Sequence, residues 1–99
     1  MDKSGLFTFL VEYKGGTYVK QLTAPTVSSA LSIWRTEVLE EFAELSETPL
    51  ACFRNLDSNF VQLEGYVNAW CLTATVDDAF FLMNIVATVT EARQEGKAI

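Results

Sequence analysis

Ninety-nine residues make one domain, and a chain of this length buries roughly 60 to 70% of its unfolded surface, so a core forms without disulfides or a structural metal. The composition, 49% hydrophobic and 20% charged with seven Phe, three Tyr and two Trp, is that of an ordered globular chain rather than a disordered one. Thirteen acidic against seven basic residues leave a net charge of −6, which repels phosphate backbones and anionic lipid, so neither nucleic acid nor a membrane is expected as a partner.

The chain has no histidine, and Cys52 and Cys71 lack Cys-x-x-Cys spacing, so the usual zinc sets are missing and a reduced, cytosolic pair of thiols is expected. After Lys3, the apolar run at 6–11 meets Glu12 too soon to serve as a signal-peptide core. The longer run at 79–89 falls far short of the roughly 20 residues that a membrane-spanning helix needs, and Asn84 interrupts it. These features set the expectation of a cytoplasmic protein.

Residues 6–13 alternate as a strand, Gly15-Gly16 offers the two positive-φ positions of a tight turn, and 17–23 returns. With Lys14 opposite Thr17, Tyr13 pairs with Tyr18, Val11 with Lys20 and Phe9 with Leu22. Together with Phe7 these make an aromatic face expected to meet the core, with Lys20 at its rim. The other face carries Thr8, Leu10, Glu12, Val19 and Gln21 and is half polar. Lys14-Gly15-Gly16-Thr17 lacks both the spacing and the following helix of a phosphate loop, so it reads as a plain hairpin turn.

Beyond Thr23 the period changes to about 3.6, with Val27, Leu31, Trp34, Val38, Phe42 and Leu45 on one stripe of an amphipathic helix. Thr26 or the Ser28-Ser29 pair can cap its start after Pro25, and it should end near Ser46, ahead of Pro49. Glu37, Glu40, Glu41 and Glu44 fall off the stripe and make the outer side acidic. Glutamates three and four apart share a helix face, but a metal cage or an acid–base pair needs a second converging element, so these four are candidates for docking a basic protein partner.

Residues 48–65 hold too many apolar side chains (Leu50, Phe53, Leu56, Phe60, Val61, Leu63) for a solvated loop, and they predict a short helical or irregular stretch at 50–56 and a short strand at 60–64. Residues 66–90 are the most apolar part of the chain and predict a second hairpin turning at Asp77-Asp78. Its register sets Val76 against Ala79, Leu72 against Met83 and Trp70 against Ile85. Trp70, Leu72, Ala74, Phe81, Met83, Ile85, Ala87 and Val89 then share the core face. Cys71, Thr73, Thr75, Asn84 and Thr88 lie opposite, beside Val67, Phe80, Leu82 and Val86. The tail, 91–99, is charged and should fray.

A hairpin leading into a helix that begins Thr26-Val27-Ser28-Ser29-Ala30-Leu31 resembles the partly degraded RNase H-like domain of HicB-type antitoxins over barely a third of the chain, without their glycine-rich segment before the helix. The resemblance implies a small acidic cytosolic regulator.

The expectation is a single α+β domain over 1–99: an antiparallel sheet of two β-hairpins with one long amphipathic helix on one face, in the order ββα, a short irregular segment, ββ. Neither thiol has a histidine or a basic neighbour in sequence to activate it, and no catalytic, cofactor or metal set emerges. The leading expectation is therefore a non-enzymatic interaction or regulatory protein that forms a homodimer through the second sheet face, at Leu10, Val19, Phe80, Leu82 and Val86. The alternative is a small-ligand-binding domain or enzyme that uses the mixed face around Cys71, Thr73, Asn84 and Gln21 as a pocket floor.

Overall fold

The computed structural model describes residues 5–54, 61–63 and 68–88. In chain order these form β1 (Gly5–Tyr13), β2 (Gly16–Ala24), α1 (Val27–Ile33), a π-helical turn (Trp34–Val38), α2 (Leu39–Ser46), a 3-10 turn (Leu50–Phe53), β3 (Val61–Gln62), β4 (Ala69–Val76) and β5 (Ala79–Thr88). The strands make one antiparallel sheet in the order β2-β1-β5-β4-β3. The fold is α+β, with two hairpins flanking a helix in sequence and joined edge to edge by β1 and β5. The tail expected to fray, Val67 and Val89 lie outside the described residues.

The second hairpin has the register its polar pair dictates: Asp77 and Asp78 both take positive φ, 53° and 63°, as a two-residue turn of this hand requires, and Val76 faces Ala79. The first hairpin corrects the sequence reading by two residues. Its turn is Lys14-Gly15, at φ 49° and 81°, so Tyr13 pairs with Gly16, Val11 with Tyr18 and Phe9 with Lys20. In the expected register Pro25 would stand opposite Leu6 at a hydrogen-bonded position, where it has no N–H to give. The observed register ends the ladder at Ala24. A shift of two leaves every side chain on its face, so the core set is unchanged. Lys20 is exposed beside that core, as a rim position requires.

Thr26 caps the helix, its hydroxyl accepting from the Ser29 N–H at 3.1 Å. Midway the helix widens: the Leu39 N–H reaches back to the Trp34 carbonyl, and the Thr36 hydroxyl donates to the Ser32 carbonyl at 3.0 Å. The extra residue rotates everything downstream, so Val38 and Leu39 are both buried, as are Phe42 and Ala43. Leu45, expected on the inner stripe, is consequently 62% exposed. The helix closes in a left-handed cap at Glu47 (φ 61°), where the Glu47 and Thr48 N–H groups return to the Glu44 and Ala43 carbonyls.

The core gathers Phe7, Phe9, Val11 and Tyr13 of β1, Leu72 and Val76 of β4, and Phe81, Met83 and Ile85 of β5 against the helix. Trp34 stacks over Phe9 at 6.3 Å between ring centroids. Phe53 of the 3-10 turn, fully buried, meets Tyr13, Phe42 and Phe81 edge-on. The buried Tyr13 hydroxyl donates to the Val76 carbonyl at 2.9 Å and accepts from Thr48 at 3.3 Å, tying the end of the helix to both hairpin tips. Trp34→Ala should cost about 3 to 5 kcal/mol, a large part of the stability of a domain this size. A shift of the urea midpoint of that order is expected, and an unchanged midpoint would contradict the packing of the helix on the sheet.

Candidate functional site

Because paired residues in a sheet share a face, the registers assemble the side chains turned away from the helix into rows. The middle row is Val19, Leu10, Asn84, Cys71 and Val61, running across all five strands. Beside it lie Gln21, Thr8, Val86 and Ala69 on one side, and Thr17, Glu12, Leu82 and Thr73 on the other, with Thr75 and Phe80 beyond. All five residues singled out in the sequence, Leu10, Val19, Phe80, Leu82 and Val86, are brought together here. Leu10 and Leu82 are half-buried among their neighbours, while Val19, Phe80 and Val86 are 59%, 63% and 39% exposed.

Two members of this face were missed. Val61 and Leu63, 69% and 38% exposed, lie alongside β4, where Val61 pairs with Cys71 and the Leu63 N–H reaches the Ala69 carbonyl. The segment at 50–63, read from the sequence as an irregular stretch and a short strand, is long enough to cover part of this face but not all of it. Its described parts do something else: Phe53 turns into the core on the helix side, and Val61–Gln62 widens the sheet. The signal was present in the excess of apolar residues there, but composition alone does not say whether a strand lies over a sheet or beside it. Of the six large hydrophobic residues exposed among the described residues, five (Val19, Val61, Leu63, Phe80 and Val86) belong to this one face.

Polar groups, among them Thr8, Glu12, Thr17, Gln21, Thr73, Thr75 and Asn84, are interspersed with the apolar ones across the face rather than gathered at one point. Cys71 and Asn84 face each other across β4 and β5, with Thr73 one step along. Gln21 lies two strands from Asn84, roughly 10 Å at ordinary strand spacing, and its amide donates to the Thr8 hydroxyl at 3.0 Å. The four residues of the alternative site are therefore not brought to one point. Among the described residues no three Cys, Asp or Glu side chains converge as metal ligands do.

The acidic helix divides. Glu37, Glu40, Glu41 and Glu44 are all exposed, but Glu41 lines a cleft facing β2, whereas Glu40 and Glu44 line a shallow hollow with Glu47, Pro49 and Leu50 on the other side. At the hairpin tips the Lys14 ammonium meets the Asp77 carboxylate at 3.0 Å. The hydrogen bond that Lys14 donates to Asp77 holds the lysine above its ordinary range, so the lysine's contribution to the pair is present at neutral pH and is lost as pH rises through its folded pKa. Both partners are solvated, so the link orients the tips more than it stabilises them.

Compared with protein-family models, with curated proteins and with solved structures, the chain matches none. No helix among the described residues is long and apolar enough to cross a membrane. Cys52 is exposed and Cys71 half-buried. In dilute protein, iodoacetamide should therefore modify Cys52 faster than Cys71; faster reaction at Cys71 would mark an activated thiol and favour the alternative, enzymatic reading.

Proposed function

We propose that this chain is a small non-enzymatic interaction protein, cytoplasmic in setting, that pairs with a second copy of itself through the open face of its sheet and presents its acidic helix outward to a basic partner. One observation carries the reading: five of the six exposed large hydrophobic residues lie on that face. A sheet normally turns polar side chains to water on its uncovered side, and this one adds exposed Val, Leu and Phe to its Thr, Gln, Asn and Glu.

Area and charge support the same arrangement. Strands about 4.8 Å apart and eight or so residues long give a footprint of roughly 500 to 600 Å² per copy, or about 1,100 Å² in total, which clears the size of a specific interface. With about 60% of that area apolar, the gross hydrophobic gain is on the order of 16 kcal/mol, just above the roughly 4 to 15 kcal/mol cost of association. That balance describes a concentration-dependent dimer rather than a permanent one. Five of the thirteen acidic residues (Glu37, Glu40, Glu41, Glu44 and Glu47) sit on the helix and its cap, behind the sheet. Pairing open face to open face keeps these charges far apart in spite of the net charge of each copy. A two-fold axis near Leu10 and Asn84 makes the contact isologous.

Light scattering at high micromolar concentration should report a dimer, and Val86→Glu, at an exposed position, should return it to a monomer with an unchanged circular dichroism spectrum. Cys71, in the middle row, should label more slowly as protein concentration rises while Cys52 does not. A monomer at every concentration, with Cys71 labelling constant, would contradict the proposal.

A further inference from the structure

A second surface lies at the edge of the sheet rather than on its face. Strand β2 is terminal in the sheet, nine residues long and bonded only to β1 among the described residues. A two-residue turn at Lys14-Gly15 makes Tyr13 and Gly16 a hydrogen-bonded pair, and alternation then aims the backbone groups of Tyr18, Lys20 and Leu22 at β1. The N–H and C=O groups of Thr17, Val19, Gln21 and Thr23 point outward, as a template for one more strand. Alongside this edge, between β2 and the helix, runs a cleft of about 150 Å³ lined by Tyr18, Lys20, Trp34, Val38, Glu41 and Leu45, among others. That volume suits one side chain of benzene size. The widened helical turn contributes directly, because by rotating Leu45 out of the core it places an exposed apolar side chain on the cleft's wall.

The geometry points to this edge and cleft as a β-augmentation site for an extended, basic peptide segment of a partner protein, with one large apolar side chain seated beside Leu45. Main-chain bonds to the outward groups of β2 supply the pairing, and the alternate side chains on the helix side meet the cleft. Charge selects the occupant. Among the described residues Lys20 is the one cation lining the cleft, opposed by Glu41, with Glu37 exposed on the same helix and the whole chain at −6. For a second copy, two-fold pairing about the midpoint of β2 sets Lys20 against Lys20, a destabilising like-charge pair that an occupant with Leu at that position does not make. The site stands whether or not the open face of the sheet pairs.

The test uses the full chain and a fluorescein-labelled peptide, KTRVLVRTK, whose odd positions place Leu between two Arg on one side of a strand. Its control, KTRPLPRTK, has the same charge but cannot add as a strand. The first should bind at least about tenfold more tightly than the second, and Leu45→Asp or Glu41→Lys should each weaken it about tenfold, with Asp78→Lys, the same change of charge at the exposed tip of the second hairpin, changing it less than about threefold. Amide exchange on the unmodified chain gives a readout independent of any variant's folding: the peptide should slow Thr17, Val19, Gln21 and Thr23, while Tyr18, Lys20 and Leu22 are slow with and without it. Equal binding of the two peptides, which is charge alone, would overturn the proposal. So would no binding at about 1 mM, a weak limit for a specific contact. Protection of the outward amides that grows with protein concentration in the absence of peptide would assign the edge to a second copy instead, and would overturn it too.

Discussion

The structure depends on the pairing of its first strand with its last. β1 and β5 lie antiparallel from Leu6 opposite Thr88 to Tyr13 opposite Phe81, and without that ladder the two hairpins would be separate two-stranded ribbons, neither stable alone in water. The pairing sets Phe7, Phe9, Val11 and Tyr13 beside Ala87, Ile85, Met83 and Phe81, and so makes one apolar surface wide enough to receive a helix. It also fixes what is left over. One helix covers one face of the five-stranded sheet, and the same registers that collect the core on one side collect Val19, Leu10, Leu82, Val86 and Val61 on the other.

Much of this was legible because the relevant signals are local. Asp77-Asp78 between β-branched and aromatic residues allowed one register, and that register is present. Faces followed from alternation, which is why Leu10, Val19, Phe80, Leu82 and Val86 share a surface even though the order of the strands could not be read. The turn of the first hairpin was misplaced because Gly15-Gly16 satisfies a positive-φ turn on its own terms. In the observed register the ladder runs to Ala24 and Pro25, ten residues from the turn, stays outside it. Lys14 accepts a left-handed φ in exchange and meets Asp77 across the tips.

The helix shows the limit of periodicity. A stripe drawn at 3.6 residues per turn placed Trp34, Val38 and Phe42 correctly and Leu45 wrongly, because the π turn between them adds a residue that no hydrophobic pattern announces. The same event brings Leu39 and Ala43 inward and leaves Leu45 exposed on the wall of the cleft beside β2. Phe53 and Thr48 were hidden for a different reason. Their burial depends on the chain folding back under the hairpin tips to reach Tyr13, a contact 35 residues distant in sequence for Thr48. The acidic residues were legible as a group but not in their division, since only the helix's orientation on the sheet separates Glu41 from Glu40 and Glu44.

A sheet face that exposes Val, Leu and Phe, with Glu12 its one charged residue among the described residues, lies opposite an acidic helix, and the central proposal is that this face is completed by a second copy. Isotope-filtered NOE spectroscopy on a mixture of labelled and unlabelled chains tests this most directly, because it detects only contacts between copies. The account predicts cross-protomer NOEs among the methyl groups of Leu10, Val19, Val61, Leu82 and Val86. Their absence at the concentration of the experiment, or intermolecular NOEs confined to the helix around Leu45, would contradict it.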